Sequence, residues 1–152
     1  MSFTVRSADW SDDSNTLMAL RKRVFVLEWR VPEHKEFDEA DLDAFHVLIV
    51  DDNNSPIATA RLTRCGILGR IAVKQGYRCL AIYRTIFSTL LETAKREAVP
   101  VVKVACNLDS VPYHQSLGFR PAGQVFMDAG VPRQQMQCGA ERFPLPDVTQ
   151  IH

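Results

Sequence analysis

Residues 77–85 read YRCLAIYRT, a turn carrying Arg78 and Arg84 between a strand-like run, GRIAVK, and an apolar helix-like run, IFSTLLETAKREA. Free N–H groups at a helix start, with the positive end of the helix dipole, favour anions, and arginine adds whole charges, so the turn suits phosphate. The same arginines also suit the first turn of a surface helix with no ligand at all. A second candidate is the acidic run Glu36, Asp38 and Asp41, with His34 and His46 on either side. Carboxylates at a pocket mouth attract cations and accept protons, whereas the ordinary fate of a charge block is a solvated loop. The spacing of these groups repeats no known ligand geometry, so no metal is expected. Cys65, Cys79, Cys106 and Cys138 stand far apart without a CxxC pair, which argues against zinc and against a redox dithiol. Cys79, beside Arg78, is either a reactive thiol or a small residue filling a turn.

The elements that must position these groups fit one domain spanning 1–152, long enough to close a core without metal or disulfide support. Eighteen basic and eighteen acidic residues cancel, and the lysines and arginines are spread along the chain. A protein that tracks a phosphate backbone carries a basic excess, so no nucleic-acid partner is expected. No apolar stretch approaches the roughly 20 residues needed to cross a bilayer. The opening MSFTVRSADW has no basic-then-apolar signal pattern. We therefore expect a cytoplasmic protein with no membrane partner.

Phe3 to Arg6 alternate as a short strand, and Trp10 with Ser11 or Asp12 offers a capped helix entry. Leu17, Leu20, Val24 and Leu27 then recur at helical spacing up to the break at Pro32. FHVLIVDD, PIATARLTRC and ILGRIAVK read as strands of an antiparallel meander, with DDNNSP as the first turn. A helix from about Arg78 to Ala98 carries Ile82, Ile86, Leu90 and Ala94 on one stripe. PVVKVACN reads as a central strand covered on both faces, parallel to ILGRIAVK across the helical crossover. SVPYHQSLGF is a short helix ending at Gly118, and GQVFMDAGVPRQQMQCGA is two strands about a Gly130-Val131-Pro132 turn. The fold class is α/β, a mixed sheet of six to seven strands with helices on both faces.

This ordered set resembles the GNAT N-acetyltransferase superfamily over essentially the whole length. The resemblance lies in RKRVFVLEW ahead of an acidic loop ending in DAFH, GRIAVK followed by YRCLAIYR, Asn107 twelve residues before Phe119, the LGF of 117–119, and the MDAGVPRQQM tail. It implies that acetyl-CoA lies where two parallel strands splay apart, with its pyrophosphate on a turn of pattern Q/RxxGxG/A. Here that turn is Arg78, Cys79, Leu80, Ala81, Ile82 and Tyr83, with Arg84 next. Ala81 and Tyr83 stand where the family has small residues. The Tyr83 phenol either intrudes on the pyrophosphate or swings aside and donates its hydroxyl to it.

The resemblance further implies a backbone N–H after Gly69, at Ala72 or Val73 in the stretch Ile71 to Val73, that polarises the thioester carbonyl. Asn107 would hold the pantetheine arm. His114 stands where the family usually has the tyrosine that protonates the departing thiolate, and Tyr113 precedes it. Each is either that acid or an ordinary pocket residue. A carboxylate of the acidic segment, Glu36, would be the base. Arg133 stands where relatives with this tail often carry histidine. The implied activity is acetyl transfer from acetyl-CoA to a primary amine, with a homodimer as one common assembly. The rival reading is a GNAT-fold module that binds or regulates without catalysing.

Overall fold

The computed structural model describes residues 2–152. Strands β1 (Phe3–Ala8), β2 (Phe45–Asp51), β3 (Pro56–Leu62) and β4 (Leu68–Val73) form a four-stranded sheet in the order β1-β2-β3-β4, every pair antiparallel. Strands β5 (Val101–Asn107), β6 (Arg120–Asp128) and β7 (Val131–Gly139) form a second sheet in the order β5-β7-β6, also antiparallel. The turn after β2 is made by Asp51, whose carboxylate accepts the N–H groups of Asn53 and Ser55. Between β6 and β7, Ala129 and Gly130 both take positive φ, as a tight hairpin of this hand requires. Pro132 lies inside β7 rather than in that turn.

Helix α1 (Trp10–Arg21) runs on into a π-helical stretch, Lys22–Glu28. Its cap is Asp9, one residue before Trp10, whose carboxylate accepts the Ser11 N–H at 2.9 Å. Leu17 and Leu20 pack on Leu48, and Val24 and Phe25 on Ala72, covering one face of the first sheet. A short helix, α2 (Glu33–Glu36), follows. Helix α3 (Leu80–Arg96) covers the other face with Ile82, Ile86, Phe87 and Leu90, packed against Val47, Ile49 and Ala58. Each such side chain contributes about 1.5–3 kcal/mol by leaving water. The fourth helix, α4 (Val111–Ser116), sits between β5 and β6.

The expected parallel pairing of β4 with β5 survives at one place only. Ile67 and Lys103 form a single parallel bridge, with the Lys103 N–H donating to the Gly66 carbonyl at 2.7 Å. Gly66 is needed there: its φ is +98°, and a Cβ would stand 2.3 Å from the Val101 carbonyl oxygen. Beyond the bridge the strands diverge into separate sheets. Nor is β5 covered on both faces, because Val102, Val104 and Cys106 are buried while the residues between them are part exposed. Residues 147–152 lie between the splayed strands, with Ile151 bridged antiparallel to Cys106 and the Ile71 N–H donating to the His152 carbonyl at 3.2 Å.

Candidate active site

The split between β4 and β5 is shaped by a bulge. Thr59 pairs with Ala72 and Arg61 with Gly69, so two residues of β4, Arg70 and Ile71, stand opposite Ala60 alone. Arg70 takes a φ of +51° to accommodate it. The Lys74 N–H donates to the Ile57 carbonyl of β3. By strand alternation the Ala72 N–H also faces β3, while Ile71 and Val73 turn theirs into the split. The donor expected at Ala72 or Val73 is thus unavailable at Ala72. Ile71 and Val73 are the cleft-facing pair.

The acidic segment is no solvated loop. Arg21, 1% exposed, donates from Nε to Glu36 Oε2 at 2.9 Å and from Nη2 to the Glu36 carbonyl at 2.7 Å. Its Nη1 is paired with Asp41 Oδ1. Arg61 holds Asp38 and Asp41, and Arg70 reaches the Glu36 carbonyl at 3.1 Å and Asp38 at 3.3 Å. Burial pushes the Asp41 and Asp38 carboxyls up, but the guanidinium groups of Arg21 and Arg61 outweigh it and hold both below the usual range. Three arginines thereby neutralise three carboxylates. His46 serves the same frame: its Nε2–H donates to the Asp41 carbonyl at 2.9 Å and its ring stacks on Trp10. Of Glu36, only Oε1 is left to face the cleft.

That oxygen meets His152 Nε2 at 2.9 Å, and His152 Nδ1 lies 2.8 Å from Asp128 Oδ2. The ring thus ties the carboxyl of Glu36 to that of Asp128 through its two nitrogens. The His152 hydrogen bond draws the Asp128 carboxyl down to about 2. Phe25 and Trp29, brought in by the π-helical stretch, flank the imidazole at centroid distances of 4.4 and 6.2 Å. Arg133 bridges the two halves of the site, with Nη1 donating to Asn107 Oδ1 at 2.9 Å and Nε 3.0 Å from Asp128 Oδ2.

At the other candidate positions the structure departs from several expectations. Asn107 does face the cleft: its N–H donates to the Gln150 carbonyl at 2.9 Å and its Nδ2 to Gln150 Oε1 at 2.7 Å. His114 is fully buried, its Nδ1–H donating to the Ser110 carbonyl at 2.8 Å and its Nε2 accepting the Asp147 N–H at 3.2 Å. Both ring nitrogens are engaged, and Nε2 becomes available to the cleft only if residue 147 moves. Tyr113 is half exposed and packs edge-on against the His114 ring.

At the helix start, the N–H groups of Ile82 and Tyr83 are engaged by the Cys79 carbonyl, leaving those of Leu80 and Ala81 exposed. Arg78 is clamped, with Nε on the Val73 carbonyl at 2.9 Å and both Nη groups on Glu28 at 2.7 and 2.8 Å. Arg84 is exposed. The Ile82 side chain is core, and Cys79 and Tyr83 pack partly buried against that core. Burial pushes the Tyr83 phenol up, and its hydroxyl has no hydrogen bond among the described residues.

A cavity of about 240 Å³ remains at the cleft mouth, lined by Trp29, Asn107, Arg133, Gln150 and Ile151 among others. A larger hollow of about 520 Å³ lies at the far end of α3, near Lys95, Ala98 and Glu141, away from every group above. Among the described residues no cluster of His, Cys, Asp or Glu suits a metal, and no helix is long and apolar enough to cross a membrane. Arg70, Asp128, Gln150 and His152 were not singled out by sequence reasoning. A lone histidine and glutamine in an aperiodic tail carry no local signal.

The chain is similar to several known proteins. The family described as "Acetyltransferase (GNAT) domain" matches residues 21–140. A Bacillus subtilis (strain 168) protein named as a candidate acetyltransferase is 30% identical over 138 residues, covering 87% of this chain and 93% of its own. An acyl-CoA N-acyltransferase of Pseudomonas aeruginosa, 21% identical, superposes with a TM-score of 0.75 over 90% of this chain and 99% of its own. Escherichia coli ElaA, 25% identical, does so with a TM-score of 0.71 over 88% and 98%. With a matched family region of this extent and a bulged, splayed strand pair at its centre, the chain belongs to the GNAT acetyltransferase family.

Proposed function

We propose that the protein transfers an acetyl group from acetyl-CoA to a primary amine, both bound together in the cleft between β4 and β5. The observation that carries this reading is the bulge at Arg70 and Ile71, which aims a backbone N–H into a split that already admits backbone from another part of the chain. A fixed donor in a water-poor site stabilises developing charge on a carbonyl oxygen without reorganising. Ile71 N–H is that donor here, and Val73 N–H with Asn107 pairs the pantetheine amides. Leu80 and Ala81 N–H groups, with Arg78 and Arg84, take the pyrophosphate once Arg78 leaves Glu28.

The acceptor must lose a proton before its nitrogen can attack, since an alkyl ammonium near pKa ~10 is almost wholly protonated at neutral pH. Glu36 Oε1 both attracts the ammonium and accepts that proton, directly or through water. As the carbon–nitrogen bond forms, the carbon–sulfur bond breaks, and the departing thiolate takes a proton from the Tyr113 hydroxyl or, once residue 147 has withdrawn and Nε2 has taken up a proton, from His114 Nε2. Cys79 and Tyr83 shape the turn by packing, while Ile82 contributes only to the core.

The test is coenzyme A release over a panel of amines, with Glu36→Gln beside the wild type. Loss of kcat by about a hundredfold with acetyl-CoA affinity not weakened supports the role of Glu36. No binding of acetyl-CoA at millimolar concentration overturns the reading. The second reading, a module that binds without transfer, is favoured by two features: Arg78 is held by Glu28, and the cleft is filled by residues 147–152. Binding without release on any amine would select it.

A further inference from the structure

Four groups assigned to the transfer are covered by one short segment of the chain. The His152 carbonyl accepts the Ile71 N–H, the Gln150 carbonyl accepts the Asn107 N–H, and Gln150 Oε1 accepts from Asn107 Nδ2. The His152 ring covers Glu36 Oε1, and the Asp147 N–H donates to His114 Nε2. Ile151, 3% exposed, is part of the main core, opposite Cys106. The segment therefore satisfies the backbone of both splayed strands and places an imidazole where an acceptor ammonium would meet Glu36.

We propose that residues Asp147–His152 are an internal plug that competes with acyl-CoA and acceptor for the β4–β5 cleft, so that activity requires its release. This rests on the reading of that cleft as the acyl-CoA site. The two occupants are mutually exclusive because each needs the Ile71 N–H and the edge of β5. The apparent dissociation constant for acyl-CoA is then the intrinsic one divided by the fraction of molecules with the cleft open. His152 is the hold on the acidic end, through Glu36 and Asp128, and Gln150 the hold on Asn107. Both are dispensable to the transfer itself, since neither is assigned to reacting atoms.

The experiment is calorimetric titration of acetyl-CoA into the full chain and into His152→Ala and Gln150→Ala variants, each checked for native circular dichroism. The hexapeptide DVTQIH, residues 147–152, is then added in trans. If a tenth of the wild type is open, release lowers the dissociation constant by about tenfold. The plug predicts tighter binding in His152→Ala, a smaller gain in Gln150→Ala, and loss of that gain as the hexapeptide is raised. Equal affinity in all three chains, with no effect of the hexapeptide, overturns the plug and leaves the transferase reading standing. No acetyl-CoA binding by any of them, with the hexapeptide still bound, overturns both and makes the cleft a peptide-binding groove.

Discussion

Replacing Arg21 by methionine removes a charge from the interior while keeping side-chain length. In the native chain Arg21 is 1% exposed and holds Glu36 and Asp41, themselves 0% and 1% exposed. Its guanidinium also lies over the Phe37 ring at 4.9 Å. Without it, Glu36 keeps only the Arg70 contact at 3.6 Å and the cleft-side His152, while Asp41 keeps Arg61. Breaking a buried pair from one side costs about 3–5 kcal/mol, because the partner charge stays desolvated. Arg61 and Arg70 offset part of that, so a loss near 3 kcal/mol is expected from urea denaturation at pH 7. The double variant Arg21→Met, Glu36→Gln leaves two arginines, Arg61 and Arg70, against two carboxylates, Asp38 and Asp41, and should recover at least half of it. A loss below about 1 kcal/mol for Arg21→Met alone would show that the acidic segment is not pinned from within, and the placement of Glu36 would lose its support.

Three further expectations are simpler. Asp128, drawn to about 2 by His152, has a folded pKa below its ordinary value, so its contribution is full above about pH 4 and fades as pH falls through 2. The shift corresponds to roughly 2 kcal/mol unscreened and about 1 kcal/mol after allowing for solvent at a partly exposed side chain. The stability gap between wild type and Asp128→Asn should therefore narrow between pH 5 and pH 2, and a gap independent of pH contradicts it. Gly66→Ala places a methyl 2.3 Å from the Val101 carbonyl at a φ of +98°, and should lower stability by at least about 2 kcal/mol by thermal denaturation. Arg78→Ala should weaken acetyl-CoA binding and flatten its salt dependence, whereas Glu28→Gln, which frees Arg78, should strengthen binding at low salt.

What could be read from the sequence was what local periodicity encodes. Ile82, Ile86, Leu90 and Ala94 announce the inward face of α3 because 3.6-residue spacing depends on nothing outside the helix. Asp51 to Ser55 announce a turn through their own side chains. The seam between the sheets was legible as a strand–helix–strand crossover, but its extent was not. Whether β4 and β5 stay paired depends on what lies between them, and residues 147–152 have no hydrophobic period to reveal that they do. The bulge at Arg70 is invisible alone, because it exists only against the register of β3. The ion network joins residues 15 to 34 positions apart, and His152 meets Glu36 across 116. A run of acidic residues looks solvated until the arginines that bury it are placed.

The most direct measurement is a crystal structure of the protein with acetyl-CoA bound. The account predicts the thioester carbonyl oxygen within hydrogen-bond distance of the Ile71 nitrogen, the pyrophosphate over Leu80 and Ala81, and residues 147–152 displaced from β5. A cofactor bound elsewhere, with His152 still seated between Glu36 and Asp128, would contradict it.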